Sequence, residues 1–152
     1  MPTRYPHRMA RLRPAWFVVL CALVLLVSAW LPWLTTSAGG GGRANAIGGK
    51  LGQIAVPPPG FGVGQLMVLL SATLIVAAAM AARGLSARIA STAALSISVL
   101  LTVLAWWYFR LYVAPPIAAG YGFYIGGAAT AVAVVLSVLA MVAAWSEGSR
   151  HR

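Results

Sequence analysis

Acidic side chains are almost missing from this sequence of 152 residues, which contains no Asp and one Glu, Glu147 near the C-terminus. Its two histidines, His7 and His151, lie in the terminal segments, and its one cysteine is Cys21. A lone cysteine excludes an intramolecular disulfide and a thiolate metal cluster within the chain. Because these residues cannot assemble a conventional acid, base or activated nucleophile, we predict a protein that is not an enzyme. We expect no catalytic, cofactor-binding or metal-binding residues.

Charged residues and histidines are also missing from the long apolar segments of the chain. Proton-coupled transport needs an ionisable group at membrane depth, so small four-helix exporters that depend on an embedded glutamate are excluded. Haem-binding bundles need histidines within their helices, and disulfide-forming four-helix enzymes need cysteine pairs. This chain alone meets neither requirement.

The composition indicates a membrane protein. Hydrophobic residues make up 61% of the chain and charged residues 8%, whereas a soluble domain has about 25% charged residues. The net charge is +10, but the basic residues flank the apolar segments and do not follow one face. That arrangement is typical of membrane proteins rather than of nucleic-acid binding. We therefore expect the lipid bilayer, and not a nucleic acid, as a partner.

Four apolar segments predict four transmembrane helices, at about residues 15–34, 63–82, 89–109 and 121–145. The first has 20 residues without a charge, and a helix of that length covers about 30 Å, the thickness of a bilayer core. The predicted fold is an all-α, antiparallel four-helix bundle, with residues 1–152 forming a single integral membrane domain.

The N-terminal segment, residues 1–14, carries four arginines and three prolines before the first apolar segment. We interpret it as a cytoplasmic anchor that also attracts anionic lipid headgroups. A signal peptide is the alternative interpretation, but the apolar segment is longer than the 7–15 residues typical of one. We therefore expect the first helix to be retained.

The arginine count predicts the orientation. Eight of the eleven basic residues lie in the N-terminal segment, the short turn at residues 83–88 and the C-terminal tail. By the positive-inside rule, both termini are cytoplasmic and the longer connection faces out. The predicted location is the cell membrane, as a multi-pass protein.

The connection at residues 35–62 is rich in glycine and proline. Ten of the sixteen glycines lie between Gly39 and Gly64, and Pro57–Pro59 forms a short polyproline segment. This composition favours a flexible external linker followed by a stiff spacer. A ligand- or partner-binding surface is the alternative.

Aromatic residues crowd the predicted outer ends of the helices, which hold eleven of the fifteen. An ordinary interfacial girdle would explain them, and so would a docking surface, because Trp and Tyr dominate the energetics of protein interfaces. The eleven are Trp30, Trp33, Phe61, Trp106, Trp107, Tyr108, Phe109, Tyr112, Tyr121, Phe123 and Tyr124.

Small residues form a stripe along the fourth predicted helix, in which Gly122 and Gly126 are spaced for close helix packing. The stripe comprises Gly122, Gly126, Ala133, Ser137, Ala140 and Ala144. The third predicted helix carries Ser91, Ser98 and Thr102 on one face. These hydroxyls favour packing between helices, with a polar permeation path as the alternative.

The layout resembles that of small four-helix membrane proteins common in actinobacteria. The resemblance is carried by Leu31-Pro32-Trp33 at the end of the first predicted helix and by Gly120-Tyr121-Gly122-Phe123-Tyr124 at the start of the last. It implies no activity, because those proteins have no settled one.

Our first functional hypothesis is an accessory or scaffolding subunit that binds another membrane protein or a second copy of itself. The alternative is a channel or carrier for a small apolar or weakly polar solute, in which a homo-oligomer is lined by Ser91, Ser98 and Thr102. A lipid-handling enzyme would need catalytic groups from a partner.

Overall fold

The computed structural model of the chain describes residues 13–56 and 60–149. Within these residues the chain forms four α-helices: α1 (Pro14–Ser28), α2 (Val63–Ala82), α3 (Ala87–Tyr112) and α4 (Tyr121–Ser149). It also forms four β-strands: β1 (Pro32–Thr36), β2 (Gly42–Asn45), β3 (Lys50–Gly52) and β4 (Ile117–Ala119).

The strands form one antiparallel sheet that lies at one end of the helices. Their order is β3-β2-β1-β4, so the strands that follow α1 pair with the strand between α3 and α4. The ends of all four helices that join these strands therefore meet at one end, which we call the sheet end. Helices α1 and α3 each pack against both α2 and α4. The result is the antiparallel up-and-down bundle that the sequence predicts.

Helix α1 is shorter than the predicted first span. It ends at Ser28 instead of residue 34, and its 15 residues cover about 22 Å at about 1.5 Å per residue. The cause is Pro32, which has no N–H and whose ring would clash with the Ser28 carbonyl in a continuing helix. Helices α2, α3 and α4 are long and apolar enough to cross a membrane, and α1 is an apolar helix below that length.

The prediction of an all-α protein is wrong, because part of the glycine-rich connection folds into strands. Strand β1 pairs with β2, from Pro32 opposite Asn45 to Thr36 opposite Gly42, and β2 pairs with β3. The expectation of a flexible linker is therefore wrong over these strands. The predicted anchor up to residue 12, the polyproline spacer at 57–59 and the last three residues of the tail lie outside the described residues.

Glycine is needed in this sheet because the backbone turns tightly and strands approach closely. Gly52 has a φ of +78°, and a Cβ at this position would collide with the backbone carbonyl oxygen of Gly41. That same oxygen accepts a hydrogen bond from the N–H of Gln53 at 3.1 Å. The glycine content that predicts flexibility in an isolated segment here permits an ordered, compact sheet.

The bundle is apolar on its outside as well as its inside. Leu20, Leu69 and Val135 are 57%, 57% and 60% exposed on three different helices. A helix that is apolar all round is typical of a membrane span or of the core of a large protein. This surface agrees with a membrane protein.

Small side chains and satisfied hydroxyls fill the interior between the helices. Ser28, Ser71 and Ser98 are fully buried, and each donates to a carbonyl oxygen one turn earlier in its own helix, at 2.7 Å. Ser98 and Ser137 also lie 3.1 Å apart, hydroxyl to hydroxyl. Since Ser98 donates to its own helix, Ser137 is the donor between α3 and α4.

The indole of Trp33 joins the sheet to the bundle. Trp33 is fully buried, although it belongs to β1, and its Nε1 donates to the carbonyl oxygen of Ser28 at 2.7 Å. Its ring makes edge-to-face contacts with Tyr108, at a centroid distance of 5.1 Å, and with Phe123, at 5.4 Å. One side chain therefore contacts α1, α3 and α4 at once.

The small-residue stripe of α4 packs within the chain. A Cβ added at Gly126 would lie 2.7 Å from the Oγ of Ser28 and 2.8 Å from Cζ2 of Trp33. One added at Gly122 would lie 2.8 Å from the Cβ of Leu31. The two glycines therefore allow α4 to approach the C-terminal end of α1 and the indole that follows it.

We expect Trp33→Phe to lower the free energy of unfolding by about 2–4 kcal/mol, because it leaves a cavity and removes a buried hydrogen bond. Trp30→Phe is the matched control, since Trp30 is 69% exposed. Thermal unfolding in detergent, followed by far-UV circular dichroism, measures both. Equal melting temperatures for the two variants would contradict the role given to Trp33.

Two adjacent glycines test the packing of α4. Gly126→Ala should destabilise the bundle by about 1–3 kcal/mol, because the new methyl group overlaps atoms of α1 and of the indole. At Gly127 an added Cβ meets nothing within 4 Å, so Gly127→Ala should be neutral or stabilise the helix by about 0.5–1 kcal/mol. The same unfolding measurement compares them, and the reverse order of stability would refute the packing described.

Candidate functional site

The sheet is held firmly against the helix ends, so the face it presents is fixed. The N–H of Ala46 donates to the carbonyl oxygen of Ala29 at 3.1 Å, and the N–H of Gly120 to that of Trp33 at 2.7 Å. Gln65, in the first turn of α2, donates through Nε2 to the carbonyl oxygen of Ile47 at 2.6 Å. These bonds connect the sheet to α1, α2 and the start of α4.

The strands turn one set of side chains towards the bundle and the other set away from it. Leu34 and Ala44 are opposite each other in the register of β1 and β2 and are buried, at 0% and 1% exposure. The next pair in the same register is Thr35, one position after Leu34, and Arg43, one position before Ala44. Their side chains point to the opposite face because successive residues alternate. This second face is the candidate site.

A single row of side chains crosses this face over all four strands. Arg43 is opposite Leu51 on one side and Thr35 on the other, and Thr35 is opposite Ala118. We call Leu51, Arg43, Thr35 and Ala118 the sheet row. It places an apolar side chain, a guanidinium, a hydroxyl and a methyl group side by side.

The sheet row forms part of an open concavity of about 720 Å³. Its remaining wall comes from the end of β1, the turn that follows, the start of β2 and the residue before β4. The full lining is Thr35, Thr36, Ser37, Gly40, Gly41, Gly42, Arg43, Leu51, Pro116 and Ala118. The concavity is therefore built from both connections at the sheet end.

Arg43 is the positive charge of this concavity. It is exposed, and within residues 13–56 and 60–149 its guanidinium forms no hydrogen bond or salt bridge. The hydroxyl of Thr36 is already used, since it donates to the carbonyl oxygen of Pro116 at 3.1 Å. The chain's one acidic residue, Glu147, belongs to the last turn of α4, at the end of that helix opposite the sheet. The electrostatics of the site therefore favour an anionic ligand.

Aromatic side chains at the sheet end divide into a buried and an exposed group. Trp33 and Tyr108 are fully buried, and Phe123 packs against both rings. The exposed group consists of Trp30, Phe61, Trp106, Trp107, Tyr121 and Tyr124. Part of the aromatic excess noted in the sequence is therefore core packing, and the exposed group is available to lipid or protein.

The structure separates the three hydroxyl residues proposed to line a path. Ser91 and Ser98 are buried within the bundle, at 1% and 0% exposure, whereas Thr102 is exposed on its outside. Ser91 donates to the carbonyl oxygen of Arg88 at 3.0 Å, and Thr102 to that of Ser98 at 3.0 Å. Each hydroxyl thus satisfies its donor within α3.

Sequence reasoning missed the sheet row. Arg43 lies within the connection that the sequence predicts to be a flexible linker, although Pro32 within the first apolar segment is a signal that the helix ends before it. Metal ligation has no support in the described part of the chain, where no three His, Cys, Asp or Glu side chains come together.

No family model, curated protein or solved structure matches the chain. What the protein does must therefore be inferred from its own geometry.

Proposed function

We propose that this protein is a non-enzymatic, multi-pass protein of the cell membrane that acts as an accessory subunit, binding an acidic segment of another membrane protein at its sheet end. The observation that carries the proposal is the sheet row, in which the Arg43 guanidinium lies exposed between Leu51 and Thr35. Its support from the sequence is the lack of residues for conventional catalysis.

All four helices cross the membrane in this proposal, including α1. Helix α1 has 15 residues, whereas a typical transmembrane helix has about 20. It nevertheless lies side by side with α2 and α4. At the end opposite the sheet, the Arg13 guanidinium donates to the carbonyl oxygen of Ala82, the last residue of α2, at 3.1 Å. At the end opposite the sheet, α1 therefore begins at about the same depth as α2 ends.

The distribution of basic residues supports an external sheet. Arg13, Arg83 and Arg88 lie at the end opposite the sheet, whereas Arg43, Lys50 and Arg110 lie at the sheet end. In the sequence, three further arginines precede Arg13, just before α1, and two follow Ser149, the last residue of α4. The positive-inside rule places the richer end in the cytoplasm. The concavity then opens to the outside of the cell.

The chemistry of the sheet row supports an acidic partner segment. A carboxylate can accept both N–H groups of one guanidinium edge, which fixes its orientation. Leu51 is 76% exposed, and covering it would add apolar contact beside the ion pair. A segment that presents a carboxylate next to an apolar side chain matches this order.

A channel or carrier formed by several copies draws less support. Ser91 and Ser98 are enclosed by the helices of one chain, so they would not face a path between copies. The glycine stripe of α4 is occupied by α1 and Trp33. Self-association through either feature would require the bundle to open.

Single cysteines test the orientation. In a chain carrying Cys21→Ala, Gln53→Cys should react with a membrane-impermeant maleimide on intact cells, because Gln53 is exposed at the sheet end. Ser86→Cys, in the exposed turn between α2 and α3, should react only after the membrane is permeabilised. Labelling of the second variant on intact cells, without labelling of the first, would invert the proposed orientation.

Partner binding is tested by purifying the tagged protein from its native membrane in mild detergent and determining the mass of the complex. We expect a second polypeptide at fixed stoichiometry, and we expect Arg43→Glu to lower its yield at least about tenfold by placing like charges together. Lys50→Glu is the control, because it changes the net charge by the same amount at a residue that is not part of the sheet row. A lone chain or homo-oligomer, or equal yields from both variants, would reject the proposal.

A further inference from the structure

A second surface groove lies at the opposite end of the bundle, on the outside of α3 and α4. It has a volume of about 500 Å³, and its lining is predominantly apolar. The lining residues are Arg88, Ile89, Thr92, Ala93, Ser96 and Trp145. The sheet and its concavity have no residue in common with it.

A cation and an aromatic ring stand together at one end of this groove. The guanidinium carbon of Arg88 lies 5.4 Å from the centre of the Trp145 ring, within the range of a cation–π interaction. Arg88 is exposed, and Trp145 is 55% exposed. The ring limits where the guanidinium can point and leaves its other N–H groups available to a ligand.

The rest of the groove extends from Arg88 along α3 towards the middle of the helix. Thr92 and Ser96 follow at intervals of four residues, which is about 6 Å of helix for each step. Their hydroxyls donate to the carbonyl oxygens of Arg88, at 2.8 Å, and Thr92, at 3.0 Å. Because both donors are satisfied, the groove floor offers mostly methyl and methylene groups.

We propose that this groove binds an anionic phospholipid of the inner leaflet, with its phosphate on Arg88 and one acyl chain lying along Ala93 and Ser96. Charge complementarity argues for this occupant. The groove begins at one exposed guanidinium, which matches a phosphate, and continues as an apolar surface towards the bilayer centre, which matches an acyl chain. Trp145 lies where indoles concentrate, at the membrane–water interface. The inference depends on the proposed membrane orientation but not on the partner proposed for the sheet row.

The test uses the purified full chain in a neutral detergent, to which phosphatidylglycerol or phosphatidylcholine is added, with the bound lipid counted by native mass spectrometry. We expect phosphatidylglycerol to bind at least tenfold more tightly than phosphatidylcholine. Arg88→Gln should remove that preference. Equal binding of the two lipids by the unaltered chain would overturn the proposal.

Arg83→Gln is the matched control, because Arg83 is exposed at the same end of the bundle, carries the same charge and does not line the groove. It should retain the preference for phosphatidylglycerol. If Arg83→Gln and Arg88→Gln weaken binding equally, the attraction is a general property of the basic end and the groove is not a site.

Ala93→Phe tests the acyl-chain half of the groove while keeping Arg88. It should lower phosphatidylglycerol binding at least fivefold by filling the groove, and unchanged binding would contradict the proposed position of the chain. Glu147→Gln removes the one carboxylate side chain of the sequence and should leave binding equal or tighter, whereas a loss would count against a phosphate on Arg88. These measurements do not involve Arg43. They therefore test the groove even if the partner experiment at the sheet row gives a negative result.

Discussion

The buried indole of Trp33 is the interaction on which the rest of the structure depends. Pro32 ends the first helix early, and the indole that follows returns into the bundle and donates to the carbonyl oxygen of Ser28. The same carbonyl oxygen also accepts from the N–H of Leu31 at 3.0 Å, so the indole adds a second hydrogen bond to a carbonyl at the helix end. The ring also occupies the space left by Gly122 and Gly126, so the end of one helix, the start of another and the first strand are positioned together.

The helical part of the fold could be predicted from the sequence because a long apolar segment indicates a helix by its own residues, without knowledge of its contacts. Helix α2 has the predicted bounds, and α3 and α4 extend a few residues beyond theirs. The sheet could not be predicted in the same way. Its pairing of β1 with β4 joins residues more than eighty positions apart, such as Leu34 and Ala119, and its glycines indicate flexibility unless the contacts that require them are known.

The candidate site could not be predicted from the sequence for the same reason. Arg43 is ordinary as a loop charge and gains meaning only from the strand register that places Leu51 and Thr35 beside it. The hydroxyls of α3 show the opposite case, in which the pattern favoured packing between helices over a polar path. Ser98 lies 3.1 Å from Ser137 of α4 inside a single bundle, which is packing of that kind, whereas Thr102 is exposed on the outside.

The pairing of β4 with β1 also makes the two ends of the bundle mechanically different. At the sheet end, a ladder of three residue pairs ties the segment between α3 and α4 to the end of α1. At the other end, the described residues form no such ladder, and α1 and α4 pack around a small cavity of about 50 Å³ lined largely by alanine. The sheet end is therefore the more constrained end of the bundle, because its backbone hydrogen bonds add to the packing of the helices.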